Sequence, residues 1–383
     1  MAQIIPYTKN ILIVAGDVSA DIHASNMAKE IKKADPSINI ASIGGDRLAS
    51  VSDKFIYNLV NNSASGFLEP LKKIPLWVRL ISTLRNYMEE KNPACVITVD
   101  FYGFNHQVLG LAKHRNIPAY HYVSPQVWAS RPERAGKLLA LVKKVLVILP
   151  FEEKIYKKIG KNVEFVGHPL LDIMPDAKDK KFNISGEWKI GILPGSRPGE
   201  IKRHMPLFYD TIKKVKKIFP KTKGFVFAVP EVSDEKILSL CGDDTPSIDI
   251  VRETNYNKRQ DMDIFLTCSG TASLENAILG IPMIVCYKMS YITYLIASAI
   301  ISIPYISLIN ILANKQIVKE FIQNNATSQH LSTEVTAMFQ NPKKLEDMRG
   351  EMLKTTSTLG KKGASKKVAD IVISGIFTKK TKS

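Results

Sequence analysis

The chain has 383 residues, 45% hydrophobic and 23% charged, which is ordinary globular usage and excludes both global disorder and a polytopic membrane protein. That length suits two domains better than one core. The 53 basic and 36 acidic side chains leave a net charge of +17, which favours anionic partners. No nucleic-acid-binding signature accompanies the charge, so a nucleic-acid partner is not expected. The four cysteines are scattered in apolar runs without a CxxC pair, and no HxxxH or HExxH spacing is present, so neither a disulfide framework nor a metal site is expected. The opening residues lack the charged start, apolar core and cleavage site of a signal peptide.

In chain order, residues 10–15 predict a strand, 20–33 a helix, and 38–43 a strand running into Gly44 and Gly45. Residues 75–90 form a helix opened by proline, followed by strand 94–99, helix 104–115, strand 118–123, helix 132–142, strand 144–149, helix 151–159 and strand 163–166. The strands are continuous apolar runs, as in a parallel sheet covered on both faces. A polar stretch over 175–187 reads as a linker. The alternation then restarts with strand 188–193, helix 200–219, strand 223–229, helix 234–241, strands 249–251 and 263–267, helix 271–279 and strand 282–286. The last hundred residues read as mostly helical, ending in 361–377. The expectation is therefore an α/β chain of two doubly wound domains that leave a cleft at the carboxyl ends of their strands.

Residues 289–314 carry no charge and 291–312 are almost wholly apolar, long enough to span a bilayer. Pro304, several serines and the position inside an α/β alternation favour a buried or membrane-touching hairpin instead. Residues 67–84 set Leu76, Leu80, Ile81 and Leu84 at helical spacing beside Trp77 and basic residues, the pattern of a membrane-surface helix or of a core-facing one with a wet basic side.

Two strand–turn–helix junctions carry phosphate-type chemistry. In Leu193-Pro-Gly-Ser-Arg-Pro-Gly-Glu200, Gly195 and Gly199 allow close backbone approach, Ser196 can cap the helix, and Arg197 can clamp a diphosphate. In Thr267-Cys-Ser-Gly-Thr-Ala-Ser-Leu-Glu275, the segment Ser269, Gly270 and Thr271 offers amides and hydroxyls at a helix start. Glu275 lies one turn in and can accept both hydroxyls of a ribose, or is a solvated first-turn acid. Neither junction is a Walker A motif, and Ala15-Gly-Asp-Val-Ser-Ala20 is not a GxGxxG turn, so no nicotinamide or flavin cofactor is expected. In the first half Asp100 follows a strand directly, where a carboxylate can act as general base. Asp17 and Asp21 follow the first strand, and Asp21 is equally readable as a helix cap.

These segments together resemble the lipid-A-disaccharide synthases. The matching pieces run in order: Ala15-Gly-Asp-Val-Ser-Ala-Asp21, Ile43-Gly-Gly-Asp46, Val99-Asp-Phe-Tyr-Gly-Phe-Asn105, His121-Tyr-Val-Ser-Pro-Gln-Val-Trp-Ala129, Leu149-Pro-Phe-Glu152 and Phe165-Val-Gly-His-Pro169. Leu193-Pro-Gly-Ser-Arg197, Ser269-Gly-Thr-Ala272 with Glu275, Asn310-Ile-Leu-Ala313 and Val318-Lys-Glu-Phe-Ile-Gln323 complete the set. The resemblance implies a GT-B fold: an acceptor-side domain over 1–174, a UDP-sugar domain over 188–344, and C-terminal helices from about 345 to 383 packing back on the first domain. It implies an inverting transfer without metal or cofactor, from UDP-2,3-diacylglucosamine to 2,3-diacylglucosamine 1-phosphate, giving the β(1→6) disaccharide 1-phosphate and UDP. By the match Asp100 is the base, with Asp17 and Asp21 beside it. Arg197 and Asn310 meet the diphosphate, and Glu275 and Gln323 serve the nucleotide. The acylated substrates imply a cytoplasmic enzyme at the inner face of the inner membrane, and a homodimer is compatible with it. Asp17, Val18 and Ala20 depart from the family's usual Gly-Glu-Ala-Ser-Gly-Asp turn, as do Ser130 and Ile309 at their positions. Another GT-B enzyme on UDP-N-acetylglucosamine, or a non-catalytic basic protein binding membranes or nucleic acid, are the competing readings.

Overall fold

A computed structural model describes residues 9–60, 74–182, 187–230, 232–242, 248–253, 255–268, 270–290, 293–294, 298 and 303–377. The chain divides into two units, Met1–Asp172 with Leu359–Ser383, and Ile173–Thr358.

The first unit contains β1 (Asn10–Ala15), α1 (Val18–Ala34), β2 (Asn39–Gly44), α2 (Asp46–Ala49), β3 (Lys54–Asn58), α3 (Ile74–Lys91), β4 (Cys95–Val99), α4 (Tyr102–His114), β5 (Ala119–Tyr122), α5 (Glu133–Leu139), β6 (Lys144–Val147), α6 (Pro150–Lys157) and β7 (Val163–Phe165), with α7 (Leu170–Ile173) at its end. Its seven strands are all parallel, in the order β3-β2-β1-β4-β5-β6-β7. Alternate residues of β1 enter different cores, Leu12 and Val14 on one face and Ile11, Ile13 and Ala15 on the other, which is why the strand is apolar throughout.

The second unit holds β8 (Lys189–Leu193), α8 (Pro198–Ile218), β9 (Lys223–Phe227), α9 (Asp234–Leu238), β10 (Ile248–Val251), α10 (Asn257–Gln260), β11 (Ile264–Thr267), α11 (Thr271–Ile278), β12 (Met283–Tyr287), α12 (Leu308–Ala313), β13 (Glu320–Ile322), α13 (Ser328–Phe339) and α14 (Lys343–Thr356). Six parallel strands run in the order β10-β9-β8-β11-β12-β13. In both sheets the order reverses beside the unit's first strand, between β1 and β4 and between β8 and β11. Ligands of open parallel sheets bind outside the carboxyl ends at such a point.

Two features differ from the sequence reading. The edge strands β3 and β13 were not anticipated: they are short and only partly buried, so neither shows a continuous apolar run. Residues 343–356 do not join the first unit, because α14 packs on α11 and α12. The last helix, α15 (Ala364–Phe377), does return to it, lying along α1 and burying Val368 and Val372. Among the described residues no helix is long and apolar enough to cross a membrane. Of the apolar stretch 291–312, residues 291–292, 295–297 and 299–302 lie outside the described residues, as do 67–73 and the basic tail.

Candidate active site

In the second unit both phosphate-type turns open onto one cavity of about 450 Å³, a size that holds a small ligand. Gly195, Ser196 and Arg197 after β8 line it, as do Gly270 and Thr271 after β11. Gly195 has φ +111°, and a Cβ there would lie 2.6 Å from Cβ of Glu200, so only glycine fits the turn. Ser196 is not the cap that the sequence suggested. Arg197 takes the N-cap position, and Oε2 of Glu200 accepts from the amides of Ser196 (3.2 Å) and Arg197 (3.4 Å). The protein thus places its own carboxylate on amides suited to an anion. The Arg197 side chain is 62% exposed, with its guanidinium 3.7 Å from Glu200. Ser269 lies outside the described residues.

The opposite wall was not foreseen. Arg259, on α10, lines the cavity with Glu253, Val229 and Tyr287. Its guanidinium stacks over Tyr256 (5.0 Å) and Phe227 (5.8 Å), and its Nη1 donates to Oε2 of Glu275 at 2.6 Å. Glu275 reaches the cavity only through this arginine, with its second oxygen outside that bond. Its neighbour Tyr256 is pushed up to about 12, by burial first and then by the charge of Glu275.

In the first unit, β1 and β4 end side by side at the strand-order reversal, and each is followed by an aspartate. Asp100 (φ +48°) and Phe101 (φ +45°) are consecutive left-handed residues, a strained pair of the kind found at functional sites. Buried Asn105 holds the strain by donating to the carbonyls of Val99 (3.1 Å) and Asp100 (2.8 Å). Phe101 packs its ring where a Cβ on Gly16 would stand, at 2.1 Å, and meets Trp77 edge-on. Burial, then the charge of Asp17, push the Asp100 carboxyl up to about 7. Asp17 caps α1, its Oδ1 accepting from the amide of Ala20 at 2.8 Å.

A model of the lipid-A-disaccharide synthetase family matches residues 11–373. The chain belongs to this family. Lipid-A-disaccharide synthase of Syntrophus aciditrophicus is 32% identical over 370 residues, covering 94% of this chain and 96% of that one. The enzyme of Geobacter metallireducens is 30% identical over 371 residues, covering 95% and 97%. Among solved structures, UDP-GlcNAc 2-epimerase of Neisseria meningitidis bound to UDP-GlcNAc aligns with TM-score 0.60 at 16% identity, over 95% of this chain and 99% of that one. MurG of Acinetobacter baumannii aligns with TM-score 0.58 at 12% identity over the same shares. These likenesses show the GT-B fold. The protein is accordingly a glycosyltransferase of lipid A disaccharide synthesis.

Three residues matched to the family's site are spent on the protein itself. Asp21 accepts from the amides of Gly45 (2.7 Å), Leu48 (3.1 Å) and Arg47 (3.2 Å), so it caps α2 and is no free base. Asn310 is fully buried: Oδ1 accepts from Ile317 and Val318, and Nδ2 donates to the Val318 carbonyl and to Glu320. It supports the chain before β13 and presents nothing to the cavity. Gln323 bonds the main chain of Met289, accepting from its amide at 2.9 Å. Sequence reasoning also passed over Glu152, buried beneath the Ser124–Trp128 loop. Its Oε1 accepts from Ser124 (2.9 Å) and Trp128 (3.2 Å), Oε2 from the Leu149 amide (3.0 Å), and burial pushes it up to about 7. The signal available was an acid three residues into a helix that starts with proline, a capping-box position.

Proposed function

We propose that the enzyme joins UDP-2,3-diacylglucosamine to 2,3-diacylglucosamine 1-phosphate, with inversion, to form the β(1→6) disaccharide 1-phosphate and UDP. The observation that carries this reading is the single cavity onto which both phosphate-type turns open, Gly195–Arg197 and Gly270–Thr271. The donor diphosphate takes the amides of Ser196 and Arg197 from Glu200, and the exposed Arg197 closes over it with two parallel bonds. Glu275 serves the nucleotide side through Arg259, which it holds against the cavity. Family membership and the UDP-GlcNAc bound to the structurally similar epimerase of Neisseria meningitidis support a uridine nucleotide.

Asp100 is the base. Its carboxylate takes the proton from the acceptor's 6-hydroxyl as that oxygen attacks the donor's anomeric carbon from the face opposite the diphosphate. The bond from that carbon to the diphosphate breaks, and the charge that develops on UDP is met by Arg197 and the two turns. A carboxyl raised to about 7 suits the task, being half ionised near neutral pH and a stronger base than an ordinary aspartate. Asp17 tunes it through its charge.

Both substrates carry acyl chains, so the enzyme works at a membrane surface, at the cytoplasmic face of the inner membrane. On α3, Ile74 (49% exposed) and Val78 (64% exposed) lie one turn apart beside Trp77, which supports this helix as the point of contact. Release with detergent and not with high salt is the expected behaviour. Asp100→Asn should fold and lose at least about 100-fold in UDP release. Normal turnover by that variant removes Asp100 from the mechanism.

A further inference from the structure

Beyond Asp100, the same sheet edge carries cations to which the reaction so far gives no work. At the start of α4, Tyr102 and His106 stand one turn apart with rings 5.1 Å from each other. From α5, Arg134 lays its guanidinium over the Tyr102 ring at 4.8 Å, and Lys137 follows one turn later. Arg134 and Lys137 are close enough that their charges add to burial, the larger cause, in holding the neutral His106 imidazole below its ordinary range. Among the described residues no carboxylate forms an ion pair with Arg134 or Lys137, and the buried Nδ1 of His106 has no hydrogen-bond partner. Glu133, next to Arg134 in sequence, is exposed.

Like charges gathered without counter-charge cost free energy that a bound anion recovers. A guanidinium pinned flat on an aromatic face is already oriented, so little side-chain entropy is lost when it grips a phosphate with two bonds. The distance along the chain is short: Tyr102 follows Asp100 by two residues, on the carboxyl edge of the sheet.

We propose that Arg134 and His106 form the subsite for the anionic group of the acceptor, a sugar phosphate. The inference rests on the reading of Asp100 as the acceptor's base. An acceptor that offers its 6-hydroxyl to Asp100 carries its 1-phosphate at the other end of the same hexose, and needs a cationic partner about one ring's width away. Arg134 supplies the paired bonds, and His106 adds a donor whose affinity for a proton rises once a phosphate is beside it. Specificity for a phosphorylated acceptor follows from these two side chains.

The test compares 2,3-diacylglucosamine 1-phosphate with unphosphorylated 2,3-diacylglucosamine as acceptors, following UDP release. Arg134→Gln should raise KM for the phosphorylated acceptor about 10- to 100-fold, the range of a hydrogen-bonded charge contact, while donor KM stays unchanged. With the unphosphorylated acceptor the same substitution should change KM less than about twofold; where turnover is too slow, its inhibition constant against the phosphorylated acceptor is read instead. Arg134→Lys should fall between wild type and Arg134→Gln. Should Arg134→Gln fail to fold by its melting curve, His106→Asn is read for the same phosphate-dependent difference. Arg47→Gln, which removes an exposed cation after β2 on the same edge, should behave as wild type. Equal effects on both acceptors, no effect on either, or the phosphate-dependent loss in Arg47→Gln would overturn the subsite. Normal turnover by Asp100→Asn would instead remove the reading beneath it.

Discussion

Replacing Asp17 by asparagine tests the electrostatics at the end of β1 and β4 without removing a structural element. Asparagine caps a helix as well as aspartate does, so the bond to the Ala20 amide survives and α1 keeps its start. What is lost is one negative charge beside Asp100. The Asp100 carboxyl stands near 7 against an ordinary 3.8, a rise of about 3, of which burial causes more and Asp17 less. Asp17 is the smaller of the two raising causes, and its removal should lower the Asp100 value by roughly 1. The base must be ionised to work, so activity falls as pH drops through its value. The acid limb of kcat/KM, which reports the free enzyme, should stand near pH 7 in the wild type and move down toward pH 6 in the variant. At pH 6 the variant should then be the faster enzyme. The assay is UDP release with saturating donor and limiting acceptor between pH 5 and 9. A limb that stays in place, or moves up, refutes the coupling, and complete loss of activity would make Asp17 the base.

Three further outcomes follow from the geometry. Asn310→Ala strands the amides of Ile317 and Val318 and the Val318 carbonyl, and should lower stability by about 3 to 5 kcal/mol in denaturant melts. A variant with wild-type stability and weak UDP binding would return Asn310 to the diphosphate. Gly195→Ala must place a Cβ 2.6 Å from that of Glu200 at φ +111°, so it should lose at least about tenfold in UDP affinity by calorimetry; Gly270→Ala, with φ +131° and open space, should lose less. Glu152 keeps a proton in the folded state up to about pH 7 that the unfolded chain, near 4.5, releases earlier. Its contribution is fully present below about pH 4.5 and lost as pH rises through 7, worth up to about 3 kcal/mol. Glu152→Gln removes that dependence, so between pH 5 and 8 its melting temperature should fall less than that of the wild type.

The two phosphate-type turns were legible because their signals are local. Glycine at positive φ, proline at a helix start and an apolar run before them all act within a few residues of chain. Asp100 was legible for the same reason, as an acid directly after a buried strand. The edge strands β3 and β13 were not, since a strand paired on one side only needs no continuous apolar run.

The sequence by itself determined two doubly wound units, the family, and the strand ends at which chemistry can occur. Only the tertiary structure decided which polar side chains are free to meet a ligand. Asp21 is spent on Gly45 and Leu48, 24 and 27 residues away, and Asn310 on the chain before β13. Arg259, invisible as a motif, reaches Glu275 across 16 residues and makes one wall of the cavity. The physical reason is that a buried polar atom must find a partner wherever the fold supplies one. Spacing along the chain tells where an acid or amide stands, and the packing of distant segments tells whether its bonds are already made.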